Sequence, residues 1–289
     1  RAEEAFNTMT SRTESSLKKT WNILMPFAVY FIAHDLAQVL LAFLVNVSLG
    51  PGGNYAEYMI AHAQTVNGFL NALSLLIGMA FVWPMARKEF LLGKTDREQM
   101  HEKRFDEMRN IKQTFTAYIL LAIFAVTLAL GTNILLILTG VVESSRGYQD
   151  VVTRQFGVAF TAGIVIYGVL SPLAEEVVFR GLIYNRMKRY FNPTISIVVC
   201  GILFGGYHGN LVQGIYGCIL GIAITFAYEV YRSFAAPVLF HSLANLSVFI
   251  AGYNRQGLID MATLENCAFF MTISLVSLFF ILKVKKNNL

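Results

Sequence analysis

Three short fragments of the sequence place ionisable or amide side chains within apolar stretches. In chain order they contribute Glu175, Glu176 and Arg180, then His208, then His241 and Asn245. An ionisable group that is unpaired inside a lipid bilayer is costly, so a group retained there indicates a functional role. All three fragments fall within residues 171–245, and this grouping favours one common site over three separate structural contacts.

The two adjacent acids are predicted to have different roles. Neighbouring residues of a helix point about 100° apart, so Glu175 and Glu176 face different surroundings. Glu176 lies four residues before Arg180, and this spacing allows the two side chains to pair on one face. Glu175 is left without a local cation. We therefore predict that Glu175 is the carboxylate available to act as a general base.

A serine and a proline precede the acidic pair, and Ser171-Pro172 is typical of a helix start. Two outcomes are open. The helix either breaks at Pro172 and restarts, or continues with a kink that frees the carbonyl of Gly168.

The third fragment can supply hydrogen-bond donors to a developing negative charge. His241 and Asn245 are four residues apart, so both side chains point into the same space. An imidazole and a carboxamide placed in this way can donate together to an oxyanion. His208 ends the second fragment, which belongs to a glycine-rich region predicted to allow close helix packing. The glycines concerned are Gly201, Gly205, Gly214, Gly217 and Gly221.

Each fragment taken alone also has a structural interpretation. A Glu-Arg pair at this spacing often only supports a helix, and a single buried histidine is often a hydrogen-bonded core residue. A His-xxx-Asn pair can simply join two membrane helices. His34, Asp35 and Gln38 lie in the first apolar stretch, where we interpret them as a polar contact within the bundle and not as catalytic groups.

The composition predicts that lipid surrounds much of this chain. Of its 289 residues, 55% are hydrophobic and 14% are charged, whereas about a quarter of a soluble domain is charged. The mean hydropathy is +0.54. A formal net charge of +5 could suggest nucleic acid. The basic residues lie at the ends of apolar stretches, however, as in loops that face anionic lipid, so no nucleic-acid partner is expected.

We predict an all-α bundle of about eight membrane spans. A bilayer core of about 30 Å needs roughly 20 apolar residues per helix. The stretches that fit are Trp21–Val47, Thr65–Ala86, Thr114–Val142, Gln155–Leu170 continuing through Arg180, Thr194–Tyr207, Leu211–Tyr228, Ala235–Tyr253 and Cys267–Leu282.

The distribution of basic residues predicts the orientation. Basic clusters occur in residues 1–20, 87–112, 186–189 and 283–286, whereas the alternate loops carry almost no Lys or Arg. Eight spans place every cluster on one side, so both termini are predicted to be cytoplasmic.

This topology divides the chain into three regions. Residues 1–20 form a cytoplasmic tail. Residues 21–142 form three spans with a solvated, charged cytoplasmic loop at 87–112. Residues 143–289 form a second bundle that carries the site motifs within 155–253. The expected location is the cell membrane, as a multi-pass protein.

The motif order Glu-Glu-xxx-Arg, Phe-xxx-His and His-xxx-Asn, each on its own membrane helix, resembles the CAAX protease and bacteriocin-processing family, also called the Abi family. Its eukaryotic members include the type II CAAX prenyl endopeptidases. The similarity covers roughly Gln155 to Tyr253 and looks bacterial. It implies an intramembrane glutamate peptidase whose helices surround a conical cavity.

The resemblance also implies a role for each motif residue. Glu175, assisted by His208, would activate water, and His241 and Asn245 would form the oxyanion hole. Glu176 and Arg180 would be the supporting pair. The substrate would be a peptide or small protein at the membrane. In bacteria, members of the family are associated with bacteriocin maturation, self-immunity and peptide signalling. Gly209 and Asn210 follow His208 where the eukaryotic enzymes are richer in histidine, which argues against prenylated substrates.

Two alternatives stay open. Two His and two Glu could bind zinc, which would make the chain a metalloprotease using the same residues. However, no HExxH pair is present and the candidate ligands come from three helices, so we expect no cofactor. Alternatively, the chain could be a non-catalytic binding, immunity or regulatory protein of the same family. The complete set of motif residues favours the enzyme.

Overall fold

The computed structural model describes residues 2–49, 57, 61–101, 111–253 and 256–287. Within these residues the secondary structure is helical and no strand occurs, which confirms the all-α prediction. We number the helices in chain order. They are α1 Ala2–Leu49, α2 Ala63–His101, α3 Ile111–Leu138, α4 Val141–Ser144, α5 Arg146–Phe156, α6 Phe160–Met187, α7 Pro193–Gly206, α8 Leu211–Tyr231, α9 Ala235–Gly252, α10 Gln256–Asp260 and α11 Leu264–Asn287.

The described residues contain seven helices that are long and apolar enough to cross a membrane: α1, α2, α3, α6, α8, α9 and α11. The protein is therefore a multi-pass membrane protein. The remaining predicted span corresponds to α7, which is apolar but has 14 residues. At about 1.5 Å per residue it is roughly 21 Å long, too short for a bilayer core of about 30 Å. Pro193 begins this helix, after the Asn192 side chain accepts a hydrogen bond from the Ile195 amide at 2.9 Å.

Two segments outside the predicted spans extend the neighbouring helices. Residues 2–20 continue into the first span as part of α1, and residues 87–101 continue α2. Residues 102–110 of the predicted loop lie outside the described part of the chain. The segment 87–101 contains one glycine and no proline, so nothing in its sequence ends the helix. The connection predicted at 87–112 is therefore helical over residues 87–101.

The helices differ in how much of their surface is covered by protein. In α1 and α11 only 11% and 17% of the most apolar window is buried, compared with 61% in α3 and in α6. The exposed side chains on the outer helices are large and apolar, including Leu36 and Phe43 on α1 and Phe279 on α11. Such a surface suits contact with lipid, and it places α6 near the centre of the bundle.

Helices α7 and α8 pack with their backbones in contact, as the glycine pattern predicted. A Cβ atom added to Gly205 would lie 2.6 Å from the Cys218 amide nitrogen, and one added to Gly221 would lie 3.0 Å from the Gly201 Cα. At these positions a larger residue would force the two helices apart.

Replacing Gly205 with alanine should therefore destabilise the protein by about 1–3 kcal/mol, because the new methyl group meets backbone that cannot move aside. The matched control is Gly206→Ala on the same helix, where an added Cβ meets nothing within 4 Å. Unfolding in detergent should show a lower midpoint for Gly205→Ala and no loss for Gly206→Ala. Equal midpoints for the two variants would contradict the close packing.

Candidate active site

Helix α6 carries the acidic pair and contains two π-helical segments. Ile166–Leu170 and Val177–Tyr184 are π-helical and flank the α-helical turn Ser171–Glu176. The helix is continuous through Pro172, so of the two outcomes that the sequence left open, the break and restart does not occur. π-helical turns inside α-helices are frequent at functional sites.

Pro172 leaves one backbone carbonyl of α6 free, and another helix uses it. The Ser171 amide donates to the carbonyl of Ile166, five residues back, as in a π-helix. The next bond in this pattern would need an N–H from Pro172, which has none. The carbonyl of Tyr167 instead accepts a hydrogen bond from Asn245 Nδ2 at 3.2 Å. One of the two outcomes left open by the sequence was a free carbonyl at Gly168, as in an α-helix, whereas the π-helical pattern frees the carbonyl of Tyr167.

The predicted pair of Glu176 and Arg180 is present and fully buried. Arg180 Nη1 donates to Glu176 Oε1 at 2.7 Å, and both side chains are 0% exposed. The other guanidinium nitrogens donate to α8, Nη2 to the Gly221 carbonyl at 2.9 Å and Nε to Thr225 Oγ1 at 3.2 Å. The guanidinium carbon also lies 4.8 Å from the centre of the Phe204 ring on α7. Arg180 therefore joins three helices around one buried charge.

His241 lies between the two acids. Its Nδ1 is 2.7 Å from Glu176 Oε1, and its Nε2 is 3.9 Å from Glu175 Oε2. Because Glu176 Oε1 accepts hydrogen bonds, Nδ1 of His241 must carry the hydrogen. If the imidazole is neutral, Nε2 is therefore an acceptor, and it becomes a donor only when the ring is protonated.

Glu175 presents one carboxylate oxygen that has no hydrogen-bond partner. Ser171 Oγ donates to Glu175 Oε1 at 2.5 Å and fixes the orientation of the carboxylate. The other oxygen, Oε2, is buried and unpartnered among the described residues. The side chain is 6% exposed and lines a cavity. The sequence analysis missed Ser171 as a partner, although its spacing of four residues from Glu175 could have revealed it.

His208 lines the same cavity and has a defined tautomer. Its Nδ1 lies 2.8 Å from the carbonyl oxygen of Phe204, which can only accept a hydrogen bond. The hydrogen is therefore on Nδ1, and a neutral ring has an unprotonated Nε2 that can accept a hydrogen bond from water.

A cavity of about 420 Å³ brings the four predicted catalytic residues together. Glu175, His208, His241 and Asn245 all line it. The sequence analysis did not anticipate the rest of its polar wall. Eight amide side chains line the cavity: Gln38, Gln64, Asn67, Asn71, Asn133, Gln155, Gln213 and Asn245. These residues come from elements throughout the chain, so no local spacing signals their convergence.

The polar residues of α1 lie beside this site. His34 Nδ1 is 2.8 Å from Asp35 Oδ1, and the His34 ring stacks on Tyr30 with centroids 5.9 Å apart. Gln38 lines the cavity. The predicted polar contact is thus present between His34 and Asp35, and Gln38 belongs to the cavity wall.

A second charged network fixes the C-terminal end of α6. Arg186 Nε donates to Glu89 Oε1 on α2 at 3.1 Å, and Arg186 Nη1 donates to the Asn22 carbonyl on α1 at 2.7 Å. Arg189 also pairs with Glu89. These contacts fix the position of α6 relative to α1 and α2, and so the depth at which Glu175 lies.

Among the described residues, no three His, Cys, Asp or Glu side chains form a group that could hold a metal ion. The cavity is lined by a carboxylate that can act as a base, with imidazole and amide groups beside it.

Comparison with known proteins gives a match over the same segment. Residues 157–247 match a family model described as type II CAAX prenyl endopeptidase Rce1-like. A Bacillus subtilis protein named "Putative membrane peptidase YdiL" is 22% identical over 108 residues, which is 37% of this chain and 42% of that protein. The chain thus aligns with about two-fifths of the length of that curated relative. No solved structure matches. The resemblance stated from the sequence motifs is confirmed.

The buried pair generates a stability prediction. Arg180→Gln leaves Glu176 buried without its cation and should cost about 3–5 kcal/mol of folding stability. The matched control is Lys188→Gln, which removes the cation of a pair whose side chains are 35% and 22% exposed. That pair should contribute at most about 1 kcal/mol. Unfolding of both variants in detergent tests the difference, and a wild-type midpoint for Arg180→Gln would refute it.

Proposed function

We propose that this chain, whose residues 157–247 match the Rce1-like CAAX prenyl endopeptidase family model, is a membrane-embedded peptidase that uses Glu175 as its general base. The observation that carries the proposal is the unpartnered, buried Oε2 of Glu175 beside a polar cavity. A buried carboxylate oxygen without a partner is costly, and a water molecule bound there would satisfy it. The same oxygen could then accept a proton from that water.

His208 would accept the second hydrogen bond from the water molecule. Its Nδ1 hydrogen points to the Phe204 carbonyl, so Nε2 is the nitrogen available to the water as an acceptor. In this role His208 orients the nucleophile, and Glu175 takes its proton.

His241 and Asn245 would stabilise the negative charge that develops on the substrate carbonyl oxygen. Asn245 Nδ2 carries two hydrogens, of which one is donated to the Tyr167 carbonyl, so the second is available for the oxyanion. His241 can donate through Nε2 only as an imidazolium, because Nδ1 already faces Glu176.

The reaction would be ordinary amide hydrolysis. Water attacks the peptide carbonyl, its proton passes to Glu175 and the carbonyl oxygen becomes negatively charged. When the C–N bond breaks, Glu175 returns the proton to the leaving amine, so the base is regenerated. Glu176 and Arg180 do not react in this scheme. They hold His241 in place.

The substrate class follows from the surroundings of the site. The cavity lies inside a membrane protein and its wall is rich in groups that hydrogen-bond peptide backbone. The substrates would therefore be peptides or small proteins at the membrane, such as bacteriocin precursors or signalling peptides. A protein that only binds such peptides would not need an unpartnered carboxylate next to oxyanion donors.

Glu175→Gln should lower the rate of peptide hydrolysis by about 10²–10⁴-fold and leave the fold intact, because the amide has nearly the same shape but cannot take the proton. The matched control is Glu229→Gln, an acid that pairs with Lys188 and Tyr184 away from the cavity. Turnover of a quenched peptide library by detergent-purified protein measures both variants. Wild-type turnover of Glu175→Gln would remove Glu175 as the base.

Prolonged chelation should leave the activity unchanged, because Glu175 and His208 can activate water without a cation. A zinc enzyme would instead need about three protein ligands on the metal and would use it to acidify the bound water. Elemental analysis and turnover of chelator-treated protein test this. One zinc per chain, with activity lost on its removal and restored on its return, would favour the metalloprotease.

A further inference from the structure

The lysines and arginines are divided unequally among the connections between the helices. Arg146 and Arg154 fall between α3 and α6, Arg255 falls between α9 and α10, and Arg180 lies in the site. The other 19 of the 23 fall in the N-terminal segment, the C-terminal segment and the connections α2–α3, α6–α7 and α8–α9, together with the adjoining helix ends.

Contacts between helices show that described residues of four of these segments, all but the C-terminal one, lie at one end of the molecule. The ammonium of Lys19 on α1 lies 5.8 Å from the ring centre of Tyr190, and Glu89 on α2 pairs with Arg186. Lys188 pairs with Glu229 near the end of α8. The Tyr231 hydroxyl donates to the Ala117 carbonyl near the start of α3, which adds that helix to the same end. We call this the basic end.

The cavity leads from the site to the opposite end. Its deepest groups, Glu175 and His241, are 6% and 4% exposed. Its wall continues to Asn67 near the start of α2 and to Arg154 on α5, whose side chains are exposed. The Ala159 amide donates to Thr65 Oγ1 at 3.1 Å, so the starts of α2 and α6 meet at this end.

Toward the basic end the site is closed. All eight residues of the π-helical segment Val177–Tyr184 are buried, and they follow Glu176 directly. Beyond them lie Glu89 and Arg186, each 6% exposed and paired with one another. A substrate could not reach Glu175 through this packed region without unfolding it.

We propose that the catalytic cavity opens on the extracytoplasmic face of the membrane. Lys and Arg are enriched in cytoplasmic segments of membrane proteins, so the basic end is the cytoplasmic one. The cavity mouth at Asn67 and Arg154 therefore faces the other compartment. This inference rests on the proposed function for its substrate: the peptidase acts on peptides that have already been exported or that arrive from outside the cell.

The cavity wall also defines the chemistry of that peptide. Eight of the lining side chains are amides, which offer both donors and acceptors to a peptide backbone. The substrate is thus a peptide whose backbone can hydrogen-bond to these amides. Arg154 at the mouth adds a positive charge that favours a peptide with a carboxylate in the part that lies there.

The experiment uses full-length protein in right-side-out and inside-out bacterial membrane vesicles, labelled with a membrane-impermeant maleimide. Asn67→Cys marks the cavity mouth, and Lys18→Cys, also an exposed position, marks the basic end. The wild-type chain gives the background labelling of its three free cysteines. We expect Asn67→Cys to react in right-side-out vesicles as fully as in detergent, and Lys18→Cys to react only in inside-out vesicles. The reverse pattern would overturn the proposal.

A second measurement adds a water-soluble quenched peptide with acidic residues to the same two vesicle preparations. Cleavage in right-side-out vesicles that is lost in Glu175→Gln supports the proposal, whereas cleavage confined to inside-out vesicles overturns it and leaves the peptidase function standing. If no peptide is cleaved in either preparation or in detergent, the proposed function fails and the substrate assignment fails with it. The maleimide result still decides which face the cavity opens to.

Discussion

The buried contact between Arg180 and Glu176 is the interaction on which the rest of the site depends. Arg180 binds Glu176 on its own helix and the Gly221 carbonyl and Thr225 on α8, and its guanidinium lies against the Phe204 ring on α7. Glu176 in turn fixes the ring of His241 on α9. A buried ion pair adds little net stability compared with apolar packing, because both charges lose their water. We therefore interpret the pair as a positioning device: one guanidinium sets three helices around the reactive carboxylate.

That arrangement requires unusually close helix packing, which the glycines provide. A Cβ atom added to Gly205 or to Gly221 would collide with the facing helix. Gly168 on α6 would collide in the same way with Leu246 on α9, the helix that carries His241 and Asn245. The π-helical turns also contribute to the contact between α6 and α9, because they free the Tyr167 carbonyl that accepts a hydrogen bond from Asn245. In lipid the hydrophobic effect does not drive helices together. Close packing at small residues and hydrogen bonds to carbonyls freed by the irregular helix geometry therefore hold these helices in contact.

The two ends of the bundle are built differently, and the difference has functional consequences. At the basic end the helices pack without an opening to the site, and Glu89 pairs with Arg186 and Arg189. The other end contains a polar cavity that reaches down to Glu175. In the proposed function, this closed end would keep the carboxylate in position while peptides enter and leave the cavity, as a preorganised catalytic site requires.

The sequence alone determined the features that depend on local geometry. The lipid environment follows from composition, and the Glu176–Arg180 pair follows from a spacing of four residues in a helix, so both predictions agree with the structure. The catalytic roles of Glu175, His208, His241 and Asn245 remain predictions, although one cavity now contains all four. Only the tertiary structure decided which groups meet across helices. His241 shares Glu176 with Arg180, and Asn245 binds the Tyr167 carbonyl, because the depth and rotation of each helix depend on its neighbours and on the π-helical turns of α6. These quantities are not encoded in any single helix, so spacing along the chain could not reveal them.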